Sequence, residues 1–374
     1  MIIIKSVIIT IILFPFILSA QNVSVHQADV LRFGKMIGNV KIINSSINIG
    51  DLNKKIFALK KTTVFGYLPY WEADSTIINR LRFDLLTHIA LFGFEALPAG
   101  LGNAPNNWPW TNIFNAAHSQ GVKLILSVYS FSADTIHTIL TNPAVQQKLF
   151  TDIENQVNAF NFDGVNIDFE NLNDSDESTN INLFMQNLSN YFHQRFSDFE
   201  ISFAAPPINW NGDWDFKGLS QSCDYLFVME YDYFGKWSDV TGPVAPLTGG
   251  AFNINITRSI LQDYSQIIIS NPKKLILGMP YFGARWKTTD STEGSNIVEF
   301  IDYPRYRDSK VFLEGRTLLW SDAYQNPWFR WQNTDTTWEQ VWFDNDSSLS
   351  TKYDLALNNN LKGIGIWALN YDGE

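Results

Sequence analysis

The sequence predicts an α/β fold, a (β/α)8 TIM barrel with a small α+β insertion between strands seven and eight. Three observations lead there. Short, almost continuously apolar segments alternate with amphipathic helical stretches, the pattern of parallel strands covered on both faces. No Gly-x-Gly-x-x-Gly ends a strand, which disfavours a doubly wound sheet. About eighty aromatic-rich residues separate the last two strands, too many for a bare loop.

The elements follow in order. Residues 1–20, MIIIKSVIITIILFPFILSA, place one lysine before an apolar run and a small residue, a signal-peptide pattern with cleavage after Ala20. The rival is a membrane anchor, but the run is short for a span and contains Pro15. The mature protein is therefore expected outside the cytoplasm, secreted or periplasmic, without an integral span. Residues 21–61 are polar and Asn-rich, a leader or linker with a short helix at 26–35. The barrel domain is assigned to 62–374.

Its strands are expected at 64–70, 86–94, 122–130, 163–170, 200–206, 224–232, 274–282 and 363–370. Asn142 is a good N-cap, with Pro143 in the first helical position. Val145, Leu149, Ile153 and Val157 then form one buried stripe. A second helix, 178–196, carries Leu183, Phe184, Leu188 and Phe192. Leu349, Tyr353 and Leu357 mark a third before the last strand. The insertion, about 287–340, is expected on the catalytic face; in and around it lie Trp286, Tyr303, Tyr306, Trp320, Trp328, Trp331, Trp338 and Trp342. A complete barrel has a helix after strand eight, yet the sequence stops at Glu374. It is expected to be a fragment, or else 21–61 covers that gap.

The 374 residues are 45% hydrophobic and 17% charged, a globular composition. A net charge of −11 argues against nucleic-acid or anionic-membrane partners, which need a basic face. Cys223 is the only cysteine, so no internal disulfide forms, and its place beside an apolar strand suggests a buried thiol. The five histidines show no ligand spacing, and neither a Gly-x-Ser-x-Gly elbow nor a P-loop is present. No metal and no cofactor are expected, and the chain is expected to be a monomer.

One strand breaks the apolar rule. FDGVNIDFEN (162–171) carries acids and amides where strands disfavour them. Side chains alternate along a strand. Val165, Ile167 and Phe169 can pack under the helices, while Asn166, Asp168 and Glu170 face the barrel interior. Glu170 sits at the C-terminal end, where barrel enzymes do their chemistry. Two carboxyls on one strand face, about 7 Å apart at Cα, cannot both ionise cheaply away from water, so one is expected to keep a proton. A protonated Glu170 beside Asp168 is a general acid suited to a poor alkoxide leaving group, such as a glycosidic oxygen.

DGVNIDFE resembles the DGxDxDxE signature of the family 18 glycoside hydrolases, the chitinase family, on the fourth strand as in that family. The resemblance extends in order along the barrel: FGYLPYW (65–71), MEYD (229–232), WSDVTGPVAPL (237–247), LGMPYFG (277–283) and the final unit VWFDNDSSLSTKYDLALNNNLKGIGIWAL (341–369). It implies substrate-assisted retention, in which Glu170 protonates the leaving oxygen and the substrate's own 2-acetamido group attacks, giving an oxazolinium ion. It further implies that Asp168 orients that group and Tyr231 hydrogen-bonds its oxygen. Asp232 would contact the same sugar, Trp367 would form the apolar floor, and Tyr67, Asn166, Met229 and Tyr281 would line the site. Asp163 and Gly164 are the motif's structural positions.

Two departures stand out. The family's middle acid is Asn166 here, as in spore-cortex-type N-acetylglucosaminidases, which removes a charge below Asp168. The usual Ser-x-Gly-Gly of strand three is SVYSF (127–131), bringing Tyr129 and Phe131 to the cleft floor. Trp108, Trp110, Trp210, Trp214 and Trp237 fall near strand ends, where packing and sugar contact are both open. The expected function is hydrolysis of β-1,4-linked N-acetylglucosamine polymers, chitin or its oligomers. The alternatives are a peptidoglycan or N-glycan N-acetylglucosaminidase and a non-catalytic chitinase-like lectin; retention of Glu170 argues against the last.

Overall fold

The computed structural model describes residues 23–34, 62–250 and 253–373. The expected signal peptide and most of the 21–61 segment lie outside the described residues. Eight parallel strands close into a ring: β1 (Thr63–Pro69), β2 (His88–Leu97), β3 (Lys123–Ser130), β4 (Gly164–Phe169), β5 (Glu200–Ala205), β6 (Tyr225–Met229), β7 (Leu275–Pro280) and, after the insertion, β13 (Gly363–Trp367). Each pairs with its neighbours, and β1 joins both β2 and β13. The predicted barrel is thus present.

Helices cover the ring. In α4 (Pro143–Phe160) the Asn142 side chain accepts the Ala144 and Val145 N–H groups at 3.0 and 3.4 Å, satisfying donors that no helical turn can reach. Leu149, Ile153 and Val157 are buried, and Asn161, at φ 56°, ends the helix in a left-handed turn. In α5 (Thr179–His193) the buried stripe is Ile181, Phe184, Met185, Leu188 and Phe192. Leu183, expected in that stripe, is instead 53% exposed, because it lies 100° around the helix from Phe184. In α8 (Asp346–Asn358) Leu357 is likewise exposed, at 58%. A strict four-residue repeat drifts around a 3.6-residue helix and leaves the core face.

The start of β4 is fixed from outside the ring. Asp163 Oδ2 accepts the Leu124 N–H at 2.8 Å and pairs with His118 Nε2 at 3.1 Å, tying β4 to β3 and to α2 (Thr111–Ser119). Gly164 follows where β5 passes close: a Cβ there would lie 2.5 Å from the Glu200 carbonyl oxygen.

The insertion is a five-stranded antiparallel sheet with one helix. Its strands are β8 (Ala284–Thr288), β9 (Ile297–Asp302), β10 (Leu319–Ser321), β11 (Asn326–Gln332) and β12 (Trp338–Trp342), in the order β9-β8-β12-β11-β10. The helix is α7 (Tyr306–Leu313). Most of its tryptophans serve packing: Trp286 and Trp342 are fully buried, and Trp328 stacks on Trp342 at 5.1 Å. The sheet is tied to the loop after β6, where Thr241 Oγ1 donates to Gln340 Oε1 at 2.8 Å. No helix among the described residues is long and apolar enough to cross a membrane. Cys223 is buried, and burial pushes its thiol up.

One element crosses the barrel mouth. The helix α1 (Val25–Phe33) is capped by Ser24, whose Oγ accepts the Gln27 N–H at 3.1 Å.

Candidate active site

The ladder on β4 is built as its alternation dictates. At the lowest level, Asn166 accepts the Tyr67 hydroxyl at 2.7 Å and donates to Ser202 Oγ at 3.0 Å. Each bond uses a different end of the amide. An aspartate there could accept from both hydroxyls, but it would bring a charge to a fully buried level. Tyr67 is fully buried, and desolvation raises its hydroxyl well above its ordinary value, so it remains a donor.

Above this level Asp168 and Glu170 converge. Burial, with Glu170 as a like-charged neighbour, raises Asp168 to about 6. The raised carboxyl is Asp168, whereas the sequence predicts the retained proton on Glu170. From β6 and the turn after it come Tyr231 and Asp232. Burial holds the Tyr231 hydroxyl well above its usual range, so it is neutral and able to donate. Burial likewise lifts Asp232 to about 7. β6 ends at Met229, short of the expected 232, and Asp232 takes a left-handed φ of 64°, uncommon for a non-glycine residue. That turn brings the neighbouring Tyr231 and Asp232 to one site. Trp367 lies across the floor, fully buried, 5.3 Å from Tyr67 and 5.0 Å from Phe92 between ring centres.

Asp168, Glu170, Tyr231 and Trp367 meet at a single point, and a protein side chain occupies it. His26 of α1 places Nδ1 2.8 Å from Asp168 Oδ2 and 3.0 Å from Glu170 Oε1, and Nε2 2.8 Å from the Tyr231 hydroxyl. Its ring stacks on Trp367 at 3.6 Å. Burial opposes a charge on this ring, but Asp168 and Glu170 outweigh it and raise the imidazole to about 10. The ring is an imidazolium at neutral pH. Three potential ligand groups lie together here; Nδ1 hydrogen-bonds Asp168 Oδ2, while Glu170 Oε1 is an ion-pair contact with no hydrogen bond of its own among the described residues.

Around that point α1 takes further partners. The Val25 N–H donates to Asp232 Oδ2 at 2.9 Å, and Asp29 Oδ2 accepts Trp367 Nε1 at 3.1 Å and the Tyr371 hydroxyl at 2.7 Å. Among the described residues, Asp168 Oδ1 and Asp232 Oδ1 are buried acceptors without a hydrogen-bond partner.

Tyr281 needs correction. Its hydroxyl is hydrogen-bonded to Tyr353 of α8, not to the acid cluster. β7 ends at Pro280, so strand alternation no longer sets the direction of residue 281. Met229 is part of the apolar core. Tyr129 is accommodated by stacking on Phe92 at 4.8 Å, with Phe131 beside it at 5.1 Å, so the bulk of SVYSF forms an aromatic wall. Trp110 is buried, and Trp108 packs among Phe94, Phe114 and Phe160, whereas Trp210 is 67% exposed. The residues that sequence reasoning missed are Val25, His26 and Asp29. The only signal was the short helix expected at 26–35 in an otherwise weakly patterned leader.

A ring of parallel strands with two carboxyls on the fourth, a tyrosine after the sixth and a tryptophan on the last defines a barrel glycosidase site. The chain belongs to the glycosyl hydrolases family 18, whose model matches residues 63–372. It is 26% identical over 284 residues to human di-N-acetylchitobiase, covering 69% of this chain and 70% of that one. To the cortical fragment-lytic enzyme of Bacillus subtilis it is 24% identical over 298 residues, covering 76% and 64%. The chain spans as little as 54% of the length of another Bacillus subtilis relative. Among solved structures, the family 18 chitinase from Cycas revoluta in complex with (GlcNAc)3 shares the fold. Its TM-score is 0.73 at 18% identity, covering 83% of this chain and 96% of that one.

Proposed function

We propose that the protein is an exported retaining glycosidase that cleaves β-1,4 bonds beside N-acetylglucosamine, in chitin or its oligomers, by substrate assistance. The observation that carries this reading is the convergence of Asp168, Glu170 and Tyr231 within 3.0 Å of one five-membered ring seated on Trp367. A sugar placed there would present its apolar face to the indole and its 2-acetamido group to Asp168 and Tyr231.

The steps follow from the residue types. Glu170 transfers its proton to the glycosidic oxygen as the bond to the anomeric carbon breaks. The acetamido carbonyl oxygen closes on that carbon, giving an oxazolinium ion. Asp168, ionised, takes the acetamido N–H and balances the positive charge; its free, buried Oδ1 is an acceptor suited to that role. Tyr231, neutral, donates to the carbonyl oxygen and directs its attack. Glu170, now a carboxylate, deprotonates the water that opens the oxazolinium ring, and retention results from two displacements.

Glu170→Gln tests the reading. Hydrolysis of a fluorogenic chitobioside or chitotrioside should fall by about 10²- to 10⁴-fold, the usual worth of a general acid, while sugar binding persists. Equal rates on cello-oligosaccharides, which lack the acetamido group, would refute substrate assistance. The resemblance of the Asn166-containing motif to spore-cortex-type enzymes, with the similarity to the cortical fragment-lytic enzyme, supports peptidoglycan as a second substrate. Mass spectrometry of products from chitin oligomers, peptidoglycan and glycoprotein glycans separates these choices.

A further inference from the structure

We infer that α1 is an intramolecular inhibitor of this site, with His26 standing in the position of the reacting sugar and Asp29 locking the floor beneath it. The inference rests on the hydrolase reading above only for what is inhibited; the occupancy itself is geometric.

Each group assigned a direct role in the reaction is engaged by α1. Asp168, Glu170 and Tyr231 are held by His26, Asp232 by the Val25 N–H, and Trp367 by the His26 ring on its face and by Asp29 at its Nε1. A ring at 3.6 Å from the indole leaves no room for a pyranose on that side. Val25, His26 and Asp29 are all buried, although they belong to a helix of nine residues. They gain that burial from the barrel mouth and not from a core of their own.

The chemistry of the mimic is specific. The proposed intermediate is a planar, five-membered, positively charged ring lying between Asp168 and Tyr231 over Trp367. The imidazolium of His26 is also planar, five-membered and positive, and it touches the same three groups. A neutral side chain would leave Asp168 and Glu170 buried without a counter-charge, which is costly. Further out, the helix is clamped by the insertion. Arg32 Nη1 donates to the Tyr303 carbonyl at 3.1 Å, and the Arg305 guanidinium covers the Phe33 ring at 4.0 Å. Phe33 also stacks on Trp71 at 6.1 Å.

Docked and open molecules are in equilibrium, so inhibition appears as a lowered apparent affinity for sugar. With about 1% of molecules open, that affinity falls about a hundredfold. The test uses the full chain as wild type, His26→Ala, His26→Ala/Asp29→Ala and Arg32→Ala. Turnover of a fluorogenic chitotrioside and calorimetric binding of tri-N-acetylchitotriose are measured side by side. Thermal melts check that each variant keeps its barrel. The double variant should raise kcat/KM and sugar affinity by one to two orders of magnitude. Arg32→Ala, remote from the acids, should give a smaller rise in both. A synthetic peptide of residues 23–34 should inhibit the double variant, and the same peptide with His26→Ala should not.

The outcomes separate the two readings. If wild type turns over as fast as the variants and binds the trisaccharide equally well, the inhibitor is overturned and the hydrolase stands. If no form hydrolyses any substrate but the variants bind the trisaccharide at least tenfold more tightly, the helix is confirmed as a blocker and the hydrolase reading fails. If the double variant does not fold, Arg32→Ala decides: unchanged turnover and binding overturn the inhibitor.

Discussion

Removing one hydroxyl offers a sharp test of how Tyr231 acts. Tyr231→Phe keeps the ring, which is buried and packs edge-on to Phe282 at 5.8 Å, so no cavity opens and stability should change little. What is lost is a hydroxyl 2.8 Å from His26 Nε2, directly above Trp367; that hydroxyl is free to donate once a sugar replaces the imidazolium. In the proposed reaction that donor meets a carbonyl oxygen whose charge changes in the transition state. Removing one preorganised donor to a reacting oxygen costs about 2.7–4 kcal/mol, or 10²–10³ in kcat. The comparison belongs in the His26→Ala/Asp29→Ala chain, so that loosening of α1 does not mask the loss. Steady-state hydrolysis of a fluorogenic chitotrioside should show kcat falling by that factor with KM within threefold or so, the mark of an interaction made in the transition state. A fall confined to KM, or none, would show that Tyr231 merely packs beside the sugar.

Other perturbations have equally definite outcomes. Asn166→Asp adds a carboxylate about 7 Å below Asp168; at an effective dielectric of about 20 that is roughly 2.4 kcal/mol of repulsion. The acid limb of the pH profile of kcat/KM, measured in the same double-variant chain, should move up by about 1–2 units; an unmoved limb counts against ionised Asp168. Glu230 is fully buried, bonded to Ser259 and Tyr233, and burial raises its carboxyl to about 8. A folded-state value above the unfolded one stabilises the fold fully below about 4.5 and less as pH rises through 8. Melting temperatures of wild type should therefore fall between pH 5 and 8.5, and Glu230→Gln should flatten that slope. Gly164→Ala drives a methyl group against the Glu200 carbonyl and should cost about 1–3 kcal/mol in urea unfolding; a neutral result would mean β4 and β5 can separate freely.

Much of this was written locally in the chain. Alternation along β4 alone separated Val165, Ile167 and Phe169 from Asn166, Asp168 and Glu170, because a strand's two faces are fixed by covalent geometry. The apolar strands announced the ring in the same way. Where a strand stops, that rule stops too, and Tyr281, one residue beyond β7, turned to Tyr353. Helix stripes were readable to within one position: Leu357 marks the drift of a four-residue count, and Leu183 sits one residue off the stripe of Phe184, Leu188 and Phe192. The role of α1 was beyond such rules. His26 meets a partner 142 positions away, and nothing in the intervening sequence encodes that meeting. Only the shape and charge of the finished barrel mouth select it.

The ring closes through its first and last strands, with β1 paired to β13 residue by residue from Thr63↔Gly363 to Gly66↔Ile366. A growing polypeptide therefore carries two unpaired strand edges until some three hundred residues have followed β1, and it must be shielded from aggregation throughout. The final strand that seals those edges also delivers Trp367. Chemical competence thus arrives in the same stroke as architectural completion, and a prematurely terminated chain is a barrel without a floor.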